Sequence, residues 1–263
     1  MNKTFTKKQH YIPRMILKRF QCFRIPMRKP MIYQYDKKSN IERLVDIYDV
    51  CRKNNLYEMR NNSGEIMDGY HNVIEKIFAS FERDWDNILN KMEHNEYLSD
   101  NDKTLLAVLI PMQFMRTPES LSLLNDILFK VCQNEDYPIS KNDLDRYIKV
   151  STFIWTEPFE SNNWIIDRIV DMILTGKKII IYISKKPFIL NGTRPTLHMK
   201  LHYALEDRWY FPVSKHYCLS LVDENANTPL YMYIPDAMTD IINDENITNE
   251  GRCIYGSTSI KGI

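Results

Sequence analysis

At Lys177 the hydrophobic pattern of this chain changes period. Upstream, from Tyr70, apolar residues fall at Val73, Ile74, Ile77, Phe78, Phe81, Trp85, Ile88, Leu89 and Met92, the spacing of one buried face on a long helix. Downstream, Lys177-Lys-Ile-Ile-Ile-Tyr-Ile183, Trp209-Tyr-Phe-Pro-Val213, Tyr217-Cys-Leu-Ser-Leu-Val222 and Leu230-Tyr-Met-Tyr-Ile234 are short apolar runs of the kind found in buried strands. Helices followed by strands, without alternation, predict an α+β fold.

The helical middle carries its own punctuation. Ser99 with Asp102 is a capping pair, and the helix it opens runs toward Met115 with Pro111 inside it, where a backbone donor is lost. Thr117-Pro118 restarts a helix with a capping hydroxyl and proline at the first position. Ser140 with Asp143 and Ser161 open two more, the latter running to Ile173 and stopped by Gly176. Near the start, Met31–Asp36 reads as a strand closed by a turn at Lys37–Asn40, while residues 41–59 follow no clear period. A short helix is expected after Pro235 and a last strand at Arg252–Tyr255. The expectation is one compact domain over 1–263. It comprises a basic N-terminal arm and strand region (1–60), a helical part (65–175) and a β-rich part (177–263), the arm packing at their junction.

Composition bounds the class. At 263 residues with 44% hydrophobic and 26% charged side chains, the chain can bury a sizeable core. Five scattered cysteines without a CxxC pair argue against a thiolate metal knuckle and fit a reducing compartment. Charges interrupt every apolar run near the N-terminus, and no stretch approaches the ~20 apolar residues of a membrane helix, so a cytoplasmic protein with no membrane association is expected. There is no phosphate loop, dinucleotide turn or nucleophile elbow.

Charge is distributed unevenly. The first 38 residues hold eleven of the 35 Lys and Arg residues but a single acid, Asp36, in a chain of net charge +1. Arg14, Lys18 and Arg19, with Tyr11 and Phe20 between them, suit phosphate contacts and stacking on nucleic acid; the same charges would equally dock the arm on the acidic remainder. Glu82, Asp84 and Asp86 around Trp85 are expected on the solvated face of their helix. His198 and His202, with His216 and Cys218, form too sparse a set to assign zinc, and no metal site is assigned.

Four stretches carry a resemblance. His10-Tyr-Ile-Pro13 with Leu17 and Phe20, Asn55-Leu-Tyr-Glu58, Ile74-Glu75, and Met112-Gln-Phe-Met-Arg-Thr-Pro118 occur in the order seen in a bacterial domain-of-unknown-function family, DUF4238, which the chain resembles over most of its length. Trp209-Tyr-Phe-Pro-Val-Ser214 is similar to a later strand of that family. Where the family often has Ser-Asp-x-Pro, this chain has Ser184-Lys185-Lys186-Pro187, so any role of that acid would be altered here.

These stretches supply the candidate site. Gln113 and Arg116, three apart on one helix, can address one point, and an amide beside a guanidinium suits a phosphate or carboxylate. His10 and Glu75 are the acid/base candidates, His10 as a proton donor near neutral pH and Glu75 as acceptor or holder of a divalent metal. Tyr11, Arg14, Lys18 and Arg19 are the remaining ligand-binding candidates. The reading is a phosphate-bearing ligand, foremost nucleic acid, with metal-dependent hydrolysis as its enzymatic form. The competing reading is an interaction or structural protein in which Arg116 pairs with Glu75, and His10 caps backbone groups to fix the arm.

Overall fold

A computed structural model describes residues 7–22, 29–134, 139–153, 170–200 and 207–261. The fold is α+β, with a helical middle and a β-rich C-terminal part. Strand β1 (Lys8–His10) pairs antiparallel with β4 (Arg52–Asn54), and helix α1 (Arg14–Arg19) follows Pro13, whose carbonyl accepts from the Ile16 and Leu17 amides. Strand β2 (Met31–Asp36) ends in the expected turn, where Asn40 takes a left-handed conformation (φ 56°) before β3 (Ile41–Asp46) returns beside it.

The middle consists of α2 (Val73–Glu93), α3 (Asp100–Met115), α4 (Pro118–Asn134) and α5 (Lys141–Phe153). Helix α2 buries Ile74, Phe78, Trp85, Ile88, Leu89 and Met92, the stripe its sequence announces. Trp85 Nε1 donates to the Leu105 carbonyl at 2.9 Å, joining α2 to α3. Ser99 and Asp102 form a reciprocal capping box, Thr117 Oγ1 accepts from the Ser120 amide, and Ser140 Oγ from the Asp143 amide. Of the helix expected from Ser161, most lies outside the described residues; 170–174 is helical and Gly176 (φ 68°) ends it.

Beyond lie two sheets. Strands β5 (Lys177–Ile183), β7 (Leu197–Lys200), β8 (Asp207–Pro212), β9 (Tyr217–Asp223) and β10 (Tyr231–Tyr233) form one in the order β10-β5-β9-β8-β7, antiparallel except for β10 on β5. The other, β3-β2-β11-β6, brings β2 and β3 against β11 (Cys253–Gly256) and β6 (Ile189–Asn191). Helix α6 (Asp236–Thr248), longer than expected, guards the β6 edge: Asn243 and Asn246 accept from the Ile189 and Asn191 amides. One buried cluster runs through all parts, from Ile12, Leu17 and Phe20 through Phe78, Leu89 and Leu109 to Ile181, Phe211 and Tyr255.

Five strands and one helix were not read from the sequence: β1, β3, β4, β6, β7 and α1. Each is short or lies in a stretch whose alternation is broken by charges or by buried polar groups such as Asn191. The aromatic residues of the arm are also placed differently from expectation. Phe20 is fully buried and Tyr11 packs largely against the core, so neither is presented for stacking. The aromatic beside Arg14 is Tyr48, 38% exposed, with the Arg14 guanidinium 5.5 Å from its ring centre.

Candidate functional site

The arm enters the site through its backbone. Pairing of β1 with β4 sets the His10 and Tyr11 carbonyls against the end of α3, and Tyr11 N–H donates to the Cys51 carbonyl at 3.0 Å. Arg116, 2% exposed, caps α3, and its Nη2 donates to the His10 carbonyl and to Glu82 Oε1, each at 2.9 Å. Gln113, fully buried one turn earlier, donates to the Tyr11 carbonyl at 2.9 Å. Tyr57 closes the far side, its hydroxyl donating to the Arg116 carbonyl at 2.7 Å. Phe78 lies under the guanidinium face, 4.1 Å from Cζ to ring centre.

The ion pair to Arg116 is thus made by Glu82 and not by Glu75. On α2 the two glutamates are seven residues apart, two turns on one face, and the nearer turn to Arg116 Nη2 is that of Glu82. Asp86, a further turn on, takes Arg19. Two of the three acids expected on the solvated face therefore hold buried or half-buried arginines, and Asp84 stays exposed.

Twelve buried side-chain nitrogen and oxygen atoms of the described residues lack a hydrogen-bond partner, and five of them belong to this cluster: His10 Nε2, Glu75 Oε1, Gln113 Oε1, and Arg116 Nε and Nη1. Stacking on Phe78 occupies the guanidinium face but leaves its in-plane N–H directions open. The cluster therefore carries unpartnered donors on Arg116 and unpartnered acceptors on Gln113 and Glu75, with Glu75 and His10 partly exposed.

Electrostatics shift the two titratable candidates in opposite directions. Burial raises Glu75 to about 7, with Arg116 opposing and Glu82 and Glu58 adding to the shift. Burial and the charges of Arg14, Arg52 and Arg116 lower His10 to about 4. His10 is accordingly neutral near pH 7 and has no proton of an imidazolium to give; Glu75 is the group that titrates there. Arg116 remains charged, since Glu82 and Tyr57 outweigh its burial.

The sequence reading passed over a carboxylate. Glu58, 1% exposed, accepts from Gln9 Nε2 at 2.7 Å and lies 2.7 Å from His71 Nδ1. Gln9 Oε1 in turn accepts from the Tyr57 amide at 2.7 Å, and Lys149 donates to the Glu58 carbonyl at 2.9 Å. The signal was present: Glu58 ends the Asn55-Leu-Tyr-Glu58 element, and Gln9 immediately precedes the His10 motif.

The basic candidates separate. Arg14 and Lys18 are exposed, whereas Arg19 is clamped on α2, donating to Asp86 Oδ1 and Asn90 Oδ1 at 2.6 Å and to the Met15 carbonyl at 2.8 Å. Among the later histidines, His198 stacks on Trp209 (ring centres 4.9 Å apart), His216 Nδ1 lies 3.0 Å from the Ser184 carbonyl, and His202 falls outside the described residues. Among the described residues no group of three or more His, Cys, Asp or Glu side chains is arranged for a metal ion. Lys185 is exposed, and the stretch around it serves the α6 interface: Ser184 Oγ meets Thr239 Oγ1 at 2.7 Å and Lys186 pairs with Asp240. No helix among the described residues is long and apolar enough to cross a membrane.

No curated protein and no solved structure matches this chain. The family model described as protein of unknown function (DUF4238) matches residues 8–259, a span that contains β1, the Glu58 element, α2, the Gln113–Pro118 box and both sheets. With nearly its whole length covered, the chain belongs to the DUF4238 family.

Proposed function

We propose that this protein is a cytoplasmic bacterial protein that binds a phosphate-bearing ligand, nucleic acid foremost, with Arg116 as anchor. The observation that carries the reading is a buried guanidinium that keeps the N–H groups of Nε and Nη1 unpartnered beside the unpartnered Glu75 Oε1. A buried donor set without partners is a standing free-energy cost of about 1–3 kcal/mol per group, which an oxyanion would remove. Because Arg116 is 2% exposed, a terminal phosphate suits it better than a phosphodiester flanked by two sugars. Arg14, Lys18 and Tyr48 at the surface would follow the next phosphates and a base.

If hydrolysis occurs, Glu75 is the proton acceptor, its value near 7 placing it half-ionised at working pH, and neutral His10 orients water or substrate through Nε2. A divalent ion, if recruited, would be held by Glu75 and would supply charge neutralisation for the phosphate. The test is binding of single- and double-stranded oligonucleotides, with and without a 5′-phosphate and with and without Mg²⁺ or Mn²⁺, across a salt series. Salt-dependent binding that favours the phosphorylated strand and is lost in Arg14→Ala/Lys18→Ala supports the reading, and cleavage lost in Glu75→Gln makes it an enzyme.

A second reading is favoured by one contact: Arg116 already holds the His10 carbonyl. In that reading the cluster only fastens the arm, and the protein is a non-enzymatic interaction or structural protein. Absence of oligonucleotide binding at low salt would select it.

A further inference from the structure

The strand stretch Trp209–Ser214 takes no part in the Arg116 cluster, yet it meets the Gln113–Pro118 box at a second place. Trp209 of β8 lies edge-on to Phe114 of α3, ring centres 5.4 Å apart. His198 of β7, its partner in register, stacks on it at 4.9 Å with the rings 25° apart. These three rings line a cavity of about 290 Å³ between the start of α4 and the β7 side of the five-stranded sheet, with Glu119, Leu123 and Arg194 also on its walls. Ligand cavities run from about 300 to 1,000 Å³, so this one suits a single ring system. It is separate from the Arg116 cluster: Phe114 meets the sheet, whereas Arg116 stacks on Phe78 of α2.

The walls combine apolar surface with two opposite charges. Leu123 is 53% exposed, and Glu119 and His198 are exposed as well, so the cavity opens to solvent. Arg194 is placed by its backbone, since its amide and that of Thr193 donate to Oδ1 of fully buried Asn191 at 3.0 and 2.8 Å. Its Nη2 reaches Glu250 at 2.7 Å, which leaves a second edge of the five-donor guanidinium for a ligand. Burial raises the Glu119 carboxyl, while its own amide, Lys53 and Arg194 pull it down. The Arg194 charge is thus felt at Glu119, yet no ion pair joins the two among the described residues.

A cation would be opposed by Arg194 and an anion by Glu119, whereas a purely apolar ring would leave both charges without a partner. A neutral ring with donors on one edge and acceptors on another satisfies both. Among nucleobases that is guanine, with N1–H and the N2 amino group on one edge and O6 and N7 on the other. Adenine and cytosine set their amino donor beside a ring-nitrogen acceptor, and uracil sets its donor between two carbonyls.

We propose that this cavity is a guanine site: the ring packs against Phe114, His198 and Trp209, Glu119 accepts from N1–H and the N2 amino group, and Arg194 donates to O6 and N7. The site stands on its own observations and does not depend on the Arg116 reading.

The test is calorimetric titration of the full-length protein with guanosine, adenosine, cytidine and uridine, none of which carries a phosphate. Guanosine should bind at least tenfold more tightly than the other three, the scale of one good bidentate contact. Glu119→Gln and Arg194→Met change exposed side chains, so both variants should keep the fold and each should weaken guanosine tenfold or more. Arg116→Lys should leave guanosine binding unchanged. A single-stranded oligonucleotide with one guanine, set against its adenine twin, separates the sources: a tighter hold on the strand than on guanosine assigns the site to nucleic acid, a weaker one to a free nucleoside, and either supports a guanine site. No guanosine binding, equal binding of the four nucleosides, or binding unchanged in both Glu119→Gln and Arg194→Met overturns the proposal. Phosphate-dependent oligonucleotide binding that persists in that case leaves the Arg116 reading intact.

Discussion

Arg116 Nη2 lies 2.9 Å from the carbonyl oxygen of His10, a contact across 106 positions of sequence that joins the His-Tyr-x-Pro opening to the Gln-x-x-Arg-Thr-Pro box. It is a side chain-to-backbone contact, so it fixes where the arm runs without consuming the His10 imidazole. Gln113 repeats the pattern one residue along, on the Tyr11 carbonyl. Two motifs far apart in the chain thereby describe one place.

Replacing Arg116 by Met should lower stability by about 2–4 kcal/mol, because Glu82 and the His10 carbonyl lose their partner. Arg116→Lys keeps a charge but not the planar set of N–H groups, and should recover part of that stability while binding a phosphorylated ligand at least tenfold more weakly. Urea unfolding alongside ligand titration separates the two effects.

The basic residues of the arm should divide by role. Arg19→Met breaks contacts to Asp86, Asn90 and the Met15 carbonyl and is expected to cost about 2–3 kcal/mol. Arg14→Ala with Lys18→Ala should change stability by no more than about 0.5 kcal/mol, since both are exposed, and should reduce the salt dependence of oligonucleotide binding.

Glu75 and His10 should give opposite pH dependences. Glu75 is raised from 4.5 to about 7, so in that window the unfolded chain releases a proton that the folded protein keeps, and stability falls as pH rises. His10 is lowered from 6.5 to about 4, so the unfolded chain binds a proton that the folded protein refuses, and stability falls as pH falls. Glu75→Gln should therefore stabilise the protein by about 2–3 kcal/mol at pH 8 and by almost nothing at pH 4. His10→Gln should do the reverse, gaining about 1–2 kcal/mol at pH 4 once its partial exposure is allowed for, and little at pH 8. Unfolding curves of the three proteins at both pH values check this.

Glu58→Gln should cost about 1–3 kcal/mol by weakening the hold on Gln9 and His71. Because Gln9 Oε1 is the acceptor for the Tyr57 amide, exchange of that amide should quicken in the variant, which hydrogen exchange reads directly.

The sequence made the long elements legible and the short ones not. Helix α2 announces itself because its apolar residues must all reach one side, and Ser99, Thr117 and Ser140 mark helix starts through local hydrogen bonds that need no tertiary context. Strands β6 and β7 have three and four residues and are held by neighbours far away, with α6 completing the β6 edge, so their residues alone carry little signal. In the site, Gln113, Arg116 and His10 were readable as polar interruptions of motifs. That Glu82 and not Glu75 would pair with Arg116 depends on where two helices cross, and the depressed His10 depends on its burial and on three arginines from separate segments. Neither follows from spacing along the chain.

The most direct measurement is the affinity of a 5′-phosphorylated single strand and of its unphosphorylated twin for wild-type protein and Arg116→Lys, in the same buffer. A phosphate-dependent preference of tenfold or more in the wild type that collapses in Arg116→Lys is the result expected. Equal affinity for the two strands, or a preference that survives in the variant, would contradict Arg116 as the phosphate anchor.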